Sequence, residues 1–250
     1  MYSFYADDGR ILTPPKELVS LLKDSFPAFL KVLGHIRFFY MADEIWDGIS
    51  LLVFKSKDNH LATIMLHNGF FNIHISTKKL RIDDEALIKY VFEILKQANT
   101  PFLRPLEQRT AHPDPNVFAC GYRCDLCLGY QCYNKNEFSE SDHFAYLNWV
   151  CYHNCVPGIE IEKPPANDKG IFRCSGCNKN RNKFCRSYIC SREKGFVNCA
   201  ECGAYHSCDV YKGSHYAAQC NLGITAEEIT KLVIPYCMKE RLDQIRDCAF

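Results

Sequence analysis

The distribution of cysteine constrains this chain more than any other feature of its sequence. The chain has 16 cysteines among 250 residues, and all of them lie at or after Cys120. The first residues contain no basic segment followed by an apolar one, so we expect no signal peptide and a cytoplasmic location. In a reducing compartment, closely spaced cysteines bind metal or do redox chemistry more often than they form disulfides. We therefore expect the second half of the chain to bind metal.

The spacing of ten of these cysteines is typical of zinc sites made of thiolates. Two cysteines separated by two residues can direct both sulfurs at one point, and two such pairs complete a tetrahedral site. Cys174 with Cys177 and Cys199 with Cys202 have this spacing, and their combination is the simplest pairing, although the sequence does not fix the grouping. Ten thiols suffice for two sites of four sulfurs, so two zinc ions are expected. The predicted ligands are Cys120, Cys124, Cys127, Cys174, Cys177, Cys185, Cys190, Cys199, Cys202 and Cys208.

The charge of the same region supports ligation. Between Arg173 and Lys212 there are eight basic residues and three acidic ones, a formal excess of +5. A zinc ion bound by four thiolates has a formal charge of about −2, and neighbouring cations lower the pKa of a thiol. Five basic residues from Arg173 to Arg186 alternate with aromatic residues and could also contact nucleic acid. The net charge of the chain is only +1, so nucleic acid is the less favoured partner.

Two alternatives to zinc were weighed. Four cysteines serve a [4Fe–4S] cluster equally well, so an iron–sulfur protein with a redox or enzymatic role is the alternative. Cys120, Cys124 and Cys127 also have the spacing of the cluster motif of radical S-adenosylmethionine enzymes. Those enzymes continue with alternating strands and helices, whereas loops and further cysteines follow here. The sequence contains no P-loop, no nucleotide-type glycine motif and no His-Glu-x-x-His, which favours a binding protein over an enzyme.

Residues 1–99 are expected to form a small α+β domain, an antiparallel sheet with helices on one face. Helix-start patterns lie at Thr13, at Ser25 and at Asp83. The last of these helices would present Leu87, Tyr90, Val91 and Ile94 on its apolar face. Strand candidates rich in β-branched and aromatic residues lie at 35–41, 49–55, 61–67 and 71–76. Asn68 and Gly69 indicate a hairpin turn between the last two.

The rest of the chain divides into two parts. Residues 100–117 contain four prolines and are expected to be a linker. Residues 118–250 are expected to form a cysteine-rich, loop-rich domain stabilised by metal, with a helix over 141–152 and another at the C-terminus. The C-terminal helix would begin with a capping box of Thr225 and Glu228 and be interrupted at Pro235. No apolar stretch is long enough to span a membrane.

From Ala119 onward the chain resembles a family of uncharacterised prokaryotic proteins with a cysteine-rich, zinc-binding-like domain of unknown function. The matching pieces are residues 120–130, 174–177, 185–195 and 199–208. The resemblance implies a metal-binding domain and carries no established activity. Leu128 stands where that family often has proline. Six cysteines are additional to the pattern of that family: Cys132, Cys151, Cys155, Cys220, Cys237 and Cys248.

The first hundred residues loosely resemble a second uncharacterised family of small α+β domains, some relatives of which have been proposed as iron chaperones. This resemblance rests on Trp46, Asp47 and Gly48 before a strand and on the hairpin of residues 69–71. The leading hypothesis is a non-catalytic zinc-thiolate protein whose metal sites are structural and support a binding surface. Its partner would be another protein or a small molecule, and a zinc-dependent nucleic-acid-binding protein is the second alternative.

Overall fold

A computed structural model of the chain describes residues 16–48, 50–57, 59–101, 117–123, 125–126, 185–211, 217–218 and 222–249. These residues belong to two compact units. The described parts of 16–101 and 217–230 form the first unit, and those of 117–211 and 231–249 form the second. The expected division into 1–99, 100–117 and 118–250 stays a prediction; among the described residues, 217–218 and 222–230 belong to the first unit. The predicted helix over 141–152 lies outside the described residues.

The first unit begins with helices α1, Lys16–Leu22, and α2, Phe26–Tyr40, joined by a 3-10 turn. The strand predicted at 35–41 is wrong, because residues 35–40 are the C-terminal part of α2 and Met41 is its C-cap. Phe29, Val32, Leu33, Ile36 and Tyr40 are buried at the spacing of a helical face. Packing along this face overrides the preference of the aromatic and β-branched residues for a strand.

Five strands follow in chain order and pair antiparallel with their neighbours, in the order β1-β2-β3-β4-β5. The strands are β1 Asp43–Asp47, β2 Leu51–Ser56, β3 Asn59–His67, β4 Phe70–Ile75 and β5 Lys78–Ile82. Alternate residues such as Phe54, Ile64 and Phe71 are fully buried and share one core with the first helices. The rings of Phe29 and Phe71 meet edge to face at 5.9 Å. The expected α+β fold with an antiparallel sheet is confirmed at this level.

The hairpin turns explain the regular alternation of strands. Gly48, Lys57, Gly69 and Ser76 follow successive strands, and each has a positive φ, between 53° and 82°, as tight hairpin connections require. The expected Asn68–Gly69 turn between β3 and β4 is confirmed. The two edge strands, β1 and β5, were not expected, because their charged residues weaken the strand pattern. Charge is common on edge strands, where it discourages pairing with other chains.

Helix α3, Ile88–Ala98, follows the sheet and buries Ile88, Val91, Ile94 and Leu95. The expected face included Leu87 and Tyr90, but these side chains are 41% and 48% exposed. The helix starts later than expected because Asp84 Oδ1 accepts a hydrogen bond from the Ala86 N–H and holds a turn before it.

Residues 222–226 lie along the edge of β1 in the first unit. The Glu44 N–H donates to Ile224 O at 3.0 Å, and the Ala226 N–H donates to Asp43 Oδ1 at 2.7 Å. Leu222 belongs to the hydrophobic core of this unit. The segment therefore satisfies edge groups of β1 that would otherwise need water.

A buried ion pair lies beneath the same edge. Arg37 Nε and Nη2 donate to the two carboxylate oxygens of Glu44 at 2.5 and 2.9 Å. Both side chains are fully buried, and Arg37 Nη1 also donates to Ala217 O at 3.4 Å. Burial raises the pKa of Glu44, and the Arg37 charge opposes that rise. The pair holds α2, β1 and residues 217–230 in one geometry.

The second unit contains short elements. An antiparallel bridge between Val117 and Arg123 closes a small hairpin. Helix α4 is Arg186–Glu193, followed by the 3-10 turns Cys199–Glu201 and Tyr205–Ser207. The C-terminal helical segment starts with α5, Ala226–Glu228, and continues as a π turn, Ile229–Val233, and a 3-10 turn, Ile234–Tyr236. It is followed by α6, Met238–Ala249.

The start and the interruption of this C-terminal segment agree with expectation. Thr225 Oγ1 accepts from the Glu228 N–H, and the Glu228 carboxylate accepts from the Thr225 N–H, which is the expected capping box. Pro235 lies in the 3-10 turn that interrupts the helix. Across the described parts of the chain, no helix has the length and apolar character needed to cross a membrane.

Candidate metal centre

Six of the ten predicted ligands lie among the described residues, all in the second unit. They are Cys120, Cys185, Cys190, Cys199, Cys202 and Cys208, and each is half-buried. Cys124, Cys127, Cys174 and Cys177 lie outside the described residues, so the expected pairing of Cys174 and Cys177 with Cys199 and Cys202 stays a prediction. No disulfide bond joins one described cysteine to another.

Four of these thiols line one pocket: Cys190, Cys199, Cys202 and Cys208. The pocket leaves about 20 Å³ for the centre of a water molecule, roughly the room for one water. Within the described ranges, no group of three or more Cys, His, Asp or Glu side chains is placed to hold a metal ion. The two observations are compatible, because each sulfur moves to a different side of its Cα when χ1 changes rotamer. The backbone brings the four cysteines together, and their side chains do not converge.

Helix α4 and the turn that ends it position Cys190. The Gly195 N–H donates to Arg192 O at 3.1 Å, and the Phe196 N–H donates to Ser191 O at 2.8 Å. With φ of +72° at Gly195, this is the Schellman motif that ends many helices. It reverses the chain after α4, so that the chain returns past Cys190 towards Cys199.

The turn from Cys199 to Cys202 is fixed by its neighbours at both ends. Asn198 Oδ1 accepts from the Ala200 N–H at 3.0 Å and caps the 3-10 turn. The Cys202 N–H donates to Cys199 O at 3.2 Å. Arg246 Nη1, from α6, donates to both Ala200 O and Cys202 O at 2.9 Å. The Cys-x-x-Cys motif is therefore held as a turn before any ligand binds.

Cys208 receives a hydrogen bond at its sulfur. The Tyr211 N–H donates to Cys208 Sγ at 3.3 Å, which fixes Tyr211 beside this cysteine. The Tyr211 ring packs on Tyr205 with centroids 5.4 Å apart, and Lys239 Nζ lies 4.8 Å from the centre of the Tyr205 ring. Aromatic packing thus fixes the wall of the pocket beside Cys208.

Cys120 lies in the hairpin closed by Val117 and Arg123. The Phe118 N–H donates to Tyr122 O, and the Gly121 N–H donates to Phe118 O. Gly121 has φ of +92°, and a Cβ at this position would lie 2.5 Å from Met238 O, so glycine is required on two counts. The Cys199 N–H donates to Ala119 O at 2.9 Å, which places the hairpin directly beside the pocket.

The electrostatics show that five thiols are close together. Burial, followed by the neighbouring thiols of Cys120, Cys208, Cys190 and Cys202, raises the pKa of Cys199 to about 12. Without a cation, this raised pKa keeps the Cys199 thiol protonated. A bound metal reverses this preference, because its charge stabilises thiolates. Lys194 also lines the pocket and contributes a positive charge.

Two other described cysteines are placed differently. Cys185 precedes α4 as its N-cap residue and does not line the pocket. Cys237 is buried, and its Sγ donates to Val233 O at 3.2 Å, as a core residue would. The spacing had placed Cys185 among the predicted ligands together with the four pocket thiols, whereas Cys237 was not one of them. The basic stretch that suggested nucleic-acid contacts, 173–186, lies outside the described residues except for Cys185 and Arg186.

Three residues that support the pocket were not anticipated: Asn198, Tyr211 and Arg246. Asn198 had a usable signal, since Asn before a short helical turn is a common cap. Arg246 had none, because it lies 44 residues after Cys202 and no local pattern connects the two.

The chain was compared with families, curated proteins and solved structures. No protein-family profile, curated protein or solved structure matches it.

Proposed function

We propose that this chain is a zinc-thiolate protein in which one zinc ion is bound by Cys190, Cys199, Cys202 and Cys208. The observation that carries the proposal is that all four thiols line the same pocket. The grouping takes one Cys-x-x-Cys turn and completes it with a helix residue and a loop residue. It differs from the simplest pairing of two Cys-x-x-Cys motifs. The second expected zinc ion would draw on the two other Cys-x-x-Cys pairs, Cys124 with Cys127 and Cys174 with Cys177, which leaves Cys120 and Cys185 outside both sites.

The size of the pocket favours a single ion over a cluster. Its free space is about that of one water molecule. A [4Fe–4S] cluster brings eight atoms of its own into the site, so the four cysteine segments would have to separate to admit it. A single zinc ion needs only the sulfurs to turn inwards to Zn–S distances of about 2.3 Å.

The composition of this unit supports a structural role for the metal. Among the described residues of this unit, those buried around the pocket form a small cluster of Ala200, Tyr205, Tyr211 and Leu242. So small a cluster cannot offset much chain entropy. A structural zinc site contributes on the order of 10–16 kcal/mol of apparent binding free energy in small peptides. Four thiolates also occupy all four positions of a tetrahedral zinc ion, which is typical of structural sites.

Metal analysis of protein purified under reducing conditions tests this proposal. The full chain should contain zinc, and Cys199→Ser and Cys202→Ser should each lower the zinc content by about one ion per chain. Cys185→Ser is the matched control, since Cys185 does not line the pocket, and its zinc content should equal that of the parent chain. Equal zinc in the Cys199→Ser variant and the parent would overturn the grouping. Brown protein with broad visible absorption would support the iron–sulfur alternative instead.

A further inference from the structure

Cys120 is attached by its backbone to the Cys-x-x-Cys turn. The 2.9 Å hydrogen bond runs from the N–H of Cys199 to the carbonyl oxygen of Ala119, the residue directly before Cys120. Standard bond lengths then place the Cα atoms of Cys120 and Cys199 within about 7 Å of each other. Disulfide bonds join cysteines whose Cα atoms are about 4.4–6.8 Å apart. The two residues are therefore within or close to bridging range.

Further contacts hold Cys120 at this position. Tyr211 Oη donates to Cys120 O at 3.4 Å, while the Tyr211 N–H donates to Cys208 Sγ. On the other side, Gly121 packs directly against Met238 and Leu242 of α6. Cys120, Cys199 and Cys208 pack against the same small cluster of buried residues. Cys120 nevertheless does not line the pocket.

We infer that Cys120 and Cys199 form a disulfide bond under peroxide, and that this bond withdraws Cys199 from the metal and releases the ion. The inference rests on the zinc site proposed above and concerns its regulation. A site with four ligands that loses one becomes a three-ligand site, which binds zinc less tightly and is open to solvent.

The reaction is balanced with hydrogen peroxide as the oxidant. The Cys120 sulfur attacks one peroxide oxygen; an S–O bond forms, the O–O bond breaks, and the products are a sulfenic acid and water. The Cys199 sulfur then attacks the Cys120 sulfur; an S–S bond forms, and the S–O bond breaks to release hydroxide, which a proton converts to water. One thiol, one zinc-bound thiolate, one proton and one peroxide thus give one disulfide and two waters. The Zn–S bond of Cys199 breaks in the second step.

Zinc-loaded full-length protein treated with hydrogen peroxide tests this inference. Released zinc is followed with a metallochromic dye, and disulfides are mapped by mass spectrometry of digested protein. We expect release of one zinc ion per chain together with a peptide pair that joins Cys120 to Cys199, and a thiol reductant with added zinc should reverse both. Cys120→Ser should lose the cross-link and the reversible release, whereas the control Cys185→Ser should retain them.

The outcomes separate the two proposals. Protein that contains no zinc before peroxide is added would refute the proposed zinc site and the inference with it. Zinc-loaded protein that releases its metal while only the pocket thiols bridge one another would refute the inference and leave the zinc site standing. Because the cross-link is mapped in the unmodified chain, the test does not depend on the folding of a variant.

Discussion

Arg246 offers the sharpest test of how the fold prepares the thiol pocket. One nitrogen of its guanidinium donates to Ala200 O and to Cys202 O, both at 2.9 Å. Arg246→Met removes these bonds and leaves the backbone of the turn to be ordered by the metal itself. A hydrogen bond from a charged donor is worth about 1.5–3 kcal/mol. Because this site is only partly buried, we take about 1 kcal/mol for each bond.

The two bonds together amount to about 2 kcal/mol, which corresponds to a loss of roughly thirtyfold in zinc affinity. This lies within the range of about 10–100-fold found when residues that support metal ligands are replaced. Affinity is measured by competition with a chromophoric chelator at fixed pH. Arg192→Met is the matched control: it removes the same charge from an exposed position of α4, where the guanidinium lies 5.4 Å from the Tyr188 ring centre. If the two variants bind zinc equally well, the argument that Arg246 orders the turn is wrong.

Two further predictions concern the first unit. Glu44→Gln should lower the free energy of unfolding in urea by about 3–5 kcal/mol, because the fully buried Arg37 loses its counter-charge. The double variant Arg37→Met/Glu44→Leu should recover most of this loss. If the stability losses of the two single changes simply add in the double variant, the buried pair is contradicted. Burial lowers the pKa of His35, which stacks on Phe92 at 3.7 Å, to about 3. The unfolded chain then binds a proton between about pH 6.5 and pH 3 that the folded chain does not. The contribution of His35 to the free energy of unfolding should therefore be full above pH 6.5 and decrease as the pH is lowered. Between pH 7 and pH 5, His35→Phe should remove about 1 kcal/mol of this loss of stability, after allowance for the part of the ring that solvent reaches.

The central strands and the capped helix start could be predicted because their signals are local. Strands β2 to β4 alternate buried and less buried residues, and Thr225 and Glu228 lie three residues apart. The C-terminal part of α2 could not be predicted from the sequence, because its residues favour a strand in isolation and only packing against the core selects a helix. The edge strands β1 and β5 were missed for the opposite reason: their charges are a consequence of their position in the sheet.

The site shows the same limit. The spacing of Cys199 and Cys202 indicates a shared ligand, because two intervening residues suffice to bring two sulfurs together. Nothing in the spacing selects Cys190 and Cys208 over Cys185 as their neighbours. That choice depends on the turn at Gly195 and on the contact of Tyr211 with Cys208, both of which are properties of the folded chain.

The attachment of residues 217–230 to β1 has a consequence for how the protein is made. During translation the five strands are synthesised early, whereas Leu222 and Ile224 are added only after most of the chain has been synthesised. Until then the nascent sheet has an uncovered β1 edge, and Arg37 lacks its acceptor on Ala217. A fragment that stops after α3 would keep this unfinished edge permanently, so expression of the sheet unit by itself should join residues 217–230 to it.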